Sequence, residues 1–249
     1  MLRIVVLLTV LCGAARAADF PFVPARGFPV RGSDLAAGAL VWIPGTYGKD
    51  QTGPPPPPDW VGREAAMEMD IWEFNRDRDD DPLDRGAELL ARGLRMLHDE
   101  KGYRRIVVAG HSRGAWIALT ALAHPDLVQA VVAFSPAAHG TAEARKGQAM
   151  ADWTSLWDAA FNGGAHVVLV QLADDPWDPD PARRLAIACD RFGSNLLSIF
   201  QPAQPKGHAG VYEPAFDEQF GALITRFIAH GLPDASLMPR SNCDAVVRH

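Results

Sequence analysis

Arg105-Ile106-Val107-Val108-Ala109-Gly110-His111-Ser112-Arg113-Gly114-Ala115-Trp116 decides the fold of this chain. The apolar run 106–109 has the length and β-branched content of a buried strand. Gly110-His111-Ser112-Arg113-Gly114 leaves room only for a sharp turn, after which the chain regains helical character. A serine at the centre of so tight a turn takes a strained backbone conformation and holds its hydroxyl clear of the sheet. Gly110 and Gly114 stand where strand and helix come too close for a Cβ. The small Ala115 carries that close approach into the helix.

Upstream, residues 39–43 form a second compact apolar run that ends at Pro44-Gly45-Thr46-Tyr47-Gly48, which predicts a strand entering a sharp loop. Residues 20–34 are rich in Pro and Gly and lack a period, so they belong at the surface or in a short edge strand. Residues 69–74 alternate apolar and polar as a strand does. Pro82 opens a helix whose Leu83, Leu90, Leu94 and Leu97 share one face, and Gly102 ends it. A further helix over 114–123 stops before Pro125. Strands follow at 130–134, 166–172 and 195–200, with a helix at 182–192. The last helix opens at Pro214, presents Phe216, Phe220, Leu223, Ile224, Phe227 and Ile228 on one face, and ends at Gly231. This alternation predicts a single α/β domain over 18–249, a mostly parallel twisted sheet with helices on both faces. Segment 140–164 departs from the alternation as a small helical insertion; its Trp153 and Trp157 fit a partial lid or the core.

The arrangement resembles the α/β-hydrolase family, whose nucleophile elbow reads Gly-x-Ser-x-Gly between a strand and a helix. The five-residue pattern alone recurs by chance. Here strand, helix, acidic loop and histidine loop follow in the family's order over residues 39–231. The resemblance implies Ser112 as nucleophile, with the acid and then the histidine later in the chain. After the acidic loop Ala173-Asp174-Asp175-Pro176-Trp177-Asp178-Pro179 come His208, His230 and His249. His230 closes an amphipathic helix, where a charge–dipole partner explains it, and His249 ends the chain. His208 lies in loop 202–210, between the last strand and the last helix, where the family places its base. Asp175, immediately before Pro176, fits the acid, with Asp178 before Pro179 as the alternative. An oxyanion hole needs two preorganised N–H donors. The resemblance implies the backbone N–H groups of Arg113 and of Thr46, or else Tyr47. Many relatives read His-Gly-x at that loop; this chain reads Pro44-Gly45-Thr46.

What the resemblance implies is a serine hydrolase, a carboxylesterase on small or medium esters acting through an acyl-enzyme on Ser112; the N-terminal segment adds the expectation that it is exported. A lipase or peptidase of the same fold is an alternative, as is a non-catalytic binding protein on the same scaffold. Serine at the elbow separates the chain from dehalogenases and epoxide hydrolases, which carry aspartate there. No cofactor is implied, and no His-x-x-x-His or Cys-x-x-Cys spacing suggests a metal.

The composition agrees with a globular enzyme: 249 residues, 48% hydrophobic, 22% charged, net charge -6. A net acidic chain without a Lys/Arg-rich block argues against nucleic acid and anionic membranes as partners; the small-molecule ester substrate is what the resemblance implies. Nothing in the sequence sets an oligomeric state. Met1-Leu2-Arg3, the apolar run 4–11 and Ala15-Arg16-Ala17 form a signal peptide over 1–17, cleaved before Ala18. Its apolar run is too short for stable membrane insertion, so the expected location is periplasmic or secreted. Cys12 leaves with the signal. Cys189 and Cys243 remain as one disulfide or two separate thiols. Pro54 to Pro58 predicts a stiff polyproline II stretch at the surface. Arg76-Asp77-Arg78-Asp79-Asp80-Asp81 reads as a solvated loop, because it lacks the glycine and terminal glutamate of a calcium loop.

Overall fold

A computed structural model describes residues 20–46, 53–74 and 82–231. The expected signal segment 1–17, Tyr47, the charge run 76–81, Cys243 and His249 lie outside them. Cys189 is disulfide-bonded.

Seven strands form one sheet in the order β1-β3-β2-β4-β5-β6-β7. They are β1 (Phe22–Pro24), β2 (Gly38–Ile43), β3 (Met69–Phe74), β4 (Ile106–His111), β5 (Ala130–Phe134), β6 (His166–Gln171) and β7 (Leu196–Phe200). β1 is the expected edge strand and runs antiparallel to β3. Every other pairing is parallel. The helices are α1 (Asp59–Ala66), α2 (Leu83–Arg95), α3 (Arg113–Thr120), α4 (Lys146–Ala159), α5 (Pro181–Phe192), α6 (Pro214–Phe216) and α7 (Ala222–His230). A π turn, Met96–Glu100, prolongs α2, and another, Asp217–Gly221, joins α6 to α7. Among the described residues no helix is long and apolar enough to cross a membrane.

The period of two along each strand sorts the core into two layers. Ala39, Val41, Ile43, Ile106, Val108, Val131, Ala133, Val167 and Leu169 pack under α2, α3, α4 and α5. Leu40, Trp42, Val107, Ala109, Val132, Phe134, Val168 and Val170 pack under α1, α6 and α7. Phe134 ties that second layer together, with its ring 5.6 Å from Trp60 and 5.7 Å from Phe216. At the other edge of the layer, Arg63 of α1 forks onto Asp217 with distances of 2.9 and 2.7 Å.

Segment 140–164 contributes α4, the small helical element expected there. Its tryptophans are core and not lid: Trp153 and Trp157 are fully buried. Trp153 packs on Trp116 of α3, and Trp157 packs on Phe192 of α5. The sequence showed two aromatics four apart on a helix, a spacing that serves a lid and a core equally.

The connections place the site. From β2 the chain crosses through α1 to β3 on one side; from β4 it crosses through α3 to β5 on the other. α1 and α3 cover opposite faces, so the carboxyl ends of the adjacent β2 and β4 border the crevice where the strand order reverses. Open parallel sheets bind their ligands at such a switch point.

Candidate active site

The elbow is built by close approach. A Cβ on Gly110 would lie 2.5 Å from the Gly114 carbonyl. One on Gly114 would lie 2.5 Å from the Pro44 carbonyl oxygen and nearer still to that of Ile43. Glycine at both positions lets α3 start directly against the end of β2. Between them Ser112 has φ 56° and ψ -121°, a region that costs of order 1–3 kcal/mol and is held only where the surroundings impose it. They do so here: the Ser112 N–H donates to Phe134 O at 2.9 Å, and the Ser112 carbonyl accepts from Trp116 and Ala137 at 3.1 Å.

Two loops converge on the elbow from later in the chain. Loop 172–180 follows β6, and loop 201–209 follows β7; Gly207 N–H donates to Ala173 O at 2.7 Å and fastens one to the other. His208 Nδ1 faces both carboxylate oxygens of Asp175, at 3.0 and 2.9 Å. A carboxylate accepts, so Nδ1 bears the proton and Nε2 keeps its lone pair. The Asp175 side chain is 1% exposed and that of His208 19%. The acid is thus shut from water while the imidazole stays reachable. Trp177 N–H donates to Asp175 Oδ1 at 2.9 Å and satisfies a further lone pair.

Asp178, the alternative acid, is placed elsewhere. Its carboxylate pairs with Arg184 Nη1 and accepts from Gln171 Nε2 at 2.8 Å. Arg184 also donates to Pro136 O at 2.8 Å and stacks 3.8 Å from the Trp153 ring. Both side chains are buried, at 3% and 2% exposure. Burial pushes the Asp178 carboxyl up and the Arg184 guanidinium down, each held back by the partner's charge. The pair fastens the acid loop to the loop after β5.

His111 joins the elbow to the histidine loop, a role the sequence did not disclose. Its Nε2–H donates to His208 O at 2.8 Å. Its ring lies 4.8 Å from that of His208 and 5.0 Å from Tyr212. Burial lowers its pKa to about 4, so at neutral pH the ring is an uncharged donor. Among the described residues no hydrogen bond joins the Ser112 hydroxyl to His208. Such bonds are commonly loose until a substrate closes the site.

The expected oxyanion donors flank the serine. Arg113 follows the serine directly, as the first residue of α3. Gly45 runs so close that a Cβ on it would sit 3.1 Å from both Ser112 Cβ and His111 Nδ1. Thr46 follows it directly and is exposed. His230 lies at the end of α7, away from this cluster in the chain's fold, and is exposed.

The profile of the alpha/beta hydrolase fold family matches residues 32–196. The chain belongs to that family. No curated protein matches it as a sequence relative. Among solved structures it is similar to the esterase Pf2001 of Pyrococcus furiosus, at 13% identity and TM-score 0.58, over 80% of this chain and 85% of that one. It is similar to Est1E of Butyrivibrio proteoclasticus, solved with ferulic acid, at 15% identity and TM-score 0.58, over 84% and 93%. It also resembles an acylaminoacyl peptidase of Pyrococcus horikoshii, at 13% identity and TM-score 0.55, over 83% of this chain and 39% of that longer one.

Proposed function

We propose that the protein is an exported serine hydrolase, a carboxylesterase on small or medium esters. The observation that carries this is the buried Asp175 on the Nδ1 of a reachable His208, in a loop fastened to the elbow of Ser112. The Ser112 oxygen attacks the ester carbonyl as His208 Nε2 takes its proton. The N–H groups of Arg113 and Thr46 hold the oxyanion. Collapse of the tetrahedral intermediate breaks the C–O bond, and the imidazolium gives its proton to the departing alcohol. Water then attacks the acyl-enzyme with His208 again as base, releasing the acid and restoring Ser112. Asp175 keeps the tautomer and stabilises the imidazolium. Esterases among the structural neighbours agree with this reading but share only the fold.

A fluorophosphonate probe tests it. The folded wild-type protein is expected to label once, at Ser112, and Ser112→Ala to remain unlabelled. A folded wild type that does not label refutes the hydrolase and favours a binding protein. His208→Ala is expected to lower kcat on a chromogenic acetate ester by roughly 10³-fold or more. Export rests on residues 1–17, and an exported form whose mass begins at Ala18 is its check.

A further inference from the structure

Trp177 is a large apolar side chain at the site that the mechanism does not use. Five large hydrophobic side chains are notably exposed among the described residues: Val23, Leu35, Met67, Phe161 and Trp177. Leu35, Met67 and Phe161 lie in the connections that lead into β2, β3 and β6, at the amino ends of the strands, and Val23 lies on the edge strand. Only Trp177 stands on a loop at the carboxyl ends, two residues past Asp175, and its side chain is 41% exposed. Exposing an indole costs free energy that a polar residue there would avoid.

The backbone of Trp177 already serves the dyad, because its N–H donates to Asp175. Any residue except proline supplies that N–H, so the bond does not explain the indole. The ring lies 5.7 Å from the His208 ring, tilted by 39°. Its six-membered ring faces Gly140, where an added Cβ would come within 3.9 Å of it and of Arg145 Nη1. Gly140 has φ 75°, a conformation that disfavours a side chain at this spot. The indole is thus flanked by His208, with part of its surface open to solvent.

We propose that Trp177 is a specificity-determining residue that binds an aromatic ring in the alcohol part of the ester. The proposal rests on the serine-hydrolase reading. In that reading His208 delivers its proton to the leaving oxygen, so a group attached to that oxygen lies beside His208 and reaches Trp177. A flat ring one methylene beyond the oxygen stacks on the indole face in an offset or edge-on arrangement. A two-carbon alcohol is too short to make that contact. The substrate class is therefore the benzyl-type ester, with a ring in the alcohol and a small acyl group.

The test compares benzyl acetate with ethyl acetate in the full-length mature protein. The wild type is expected to favour benzyl acetate in kcat/KM. Trp177→Ala is expected to lower that preference about 3- to 10-fold, mainly through the KM for benzyl acetate. Trp177→Phe keeps a ring and is expected to retain more of the preference than Trp177→Leu, which keeps only apolar bulk. An equal loss on both esters, with a shifted pH profile of kcat/KM, would mean that the indole acts on the dyad and not on substrate, and overturns the proposal. An unchanged preference in Trp177→Ala overturns it too. Labelling of Ser112 by a fluorophosphonate separates the two failures. With labelling intact, only the ring site falls; a wild type that neither labels nor turns over removes the hydrolase reading and this inference with it.

Discussion

Two aspartates three residues apart on one loop are expected to fail in opposite ways when each becomes asparagine. Asp178→Asn keeps the shape and removes the charge, which leaves the Arg184 guanidinium buried at 2% exposure without its counter-charge. Breaking one side of such a pair costs about 3–5 kcal/mol, a large share of the roughly 5–15 kcal/mol that holds a domain folded. With a urea m-value near 3 kcal/mol/M, the midpoint is expected to fall by about 1–2 M. Replacing the pair together, with Asp178→Leu and Arg184→Met, is expected to recover most of the loss, since no charge is then stranded. What remains is the share of Gln171 and Pro136 O, which lose a partner. Asp175→Asn acts otherwise. An amide facing His208 Nδ1 favours the wrong tautomer, so kcat is expected to drop roughly 10³–10⁴-fold while the midpoint moves by less than about 1 kcal/mol in stability. Urea titration and ester turnover on the same four proteins read both effects. A full loss of kcat in a stably folded Asp178→Asn, with Asp175→Asn still active, would refute this division of roles.

His111→Phe is expected to lower kcat at least tenfold by releasing the His208 loop, and His111→Gln, whose amide reaches the same carbonyl, to restore much of it; steady-state kinetics decides. Because the folded pKa of His111 is depressed to about 4 from 6.5, its contribution to stability is complete above pH 6.5. It is lost as pH falls toward 4, amounting to roughly 3 kcal/mol, and calorimetry across that range should show the slope flattened in His111→Gln. Gly114→Ala drives a methyl into the Ile43 and Pro44 carbonyls. It is expected to cost about 1–3 kcal/mol and to reduce fluorophosphonate labelling, since the elbow and the Gly45 loop must part. Gly147→Ala, on an open helical surface, is the control and should be neutral or stabilising by up to about 1 kcal/mol.

Local chemistry made much of this molecule legible in advance. The strand runs, the glycines of the elbow and the proline and glycine stops each act within a few residues, and each reads directly from its neighbours. The dyad was half legible. Chain order pointed to His208, but Asp175 and Asp178 look alike in sequence because what separates them is burial beside Arg184. That arginine sits on an amphipathic helix, where the simple expectation is a solvated charge; the Asp178 carboxylate, the Pro136 carbonyl and the Trp153 ring together make a buried cation tolerable. His111 stands beside the serine in sequence, yet its contact with His208 spans 97 residues. Only the convergence of the β4 and β7 loops creates it. The fate of Trp153 and Trp157 was undecided for the same reason, since their partners Trp116 and Phe192 are brought to them by the sheet.

The second core layer has a consequence for how the chain is made. Trp60 and Val61 of α1 cover only part of their face of the sheet; Val211, Phe216, Phe220, Ile224, Phe227 and Ile228 supply the rest of its cover. Arg63 waits on Asp217, and Glu64 on Thr225. During synthesis those partners are the last to appear, so a growing chain holds a bare apolar sheet until residues 211–230 have left the ribosome. Closure of this layer is thereby deferred until residues 211–230 have been made, so a contact order set by the fold becomes a timetable for the growing chain.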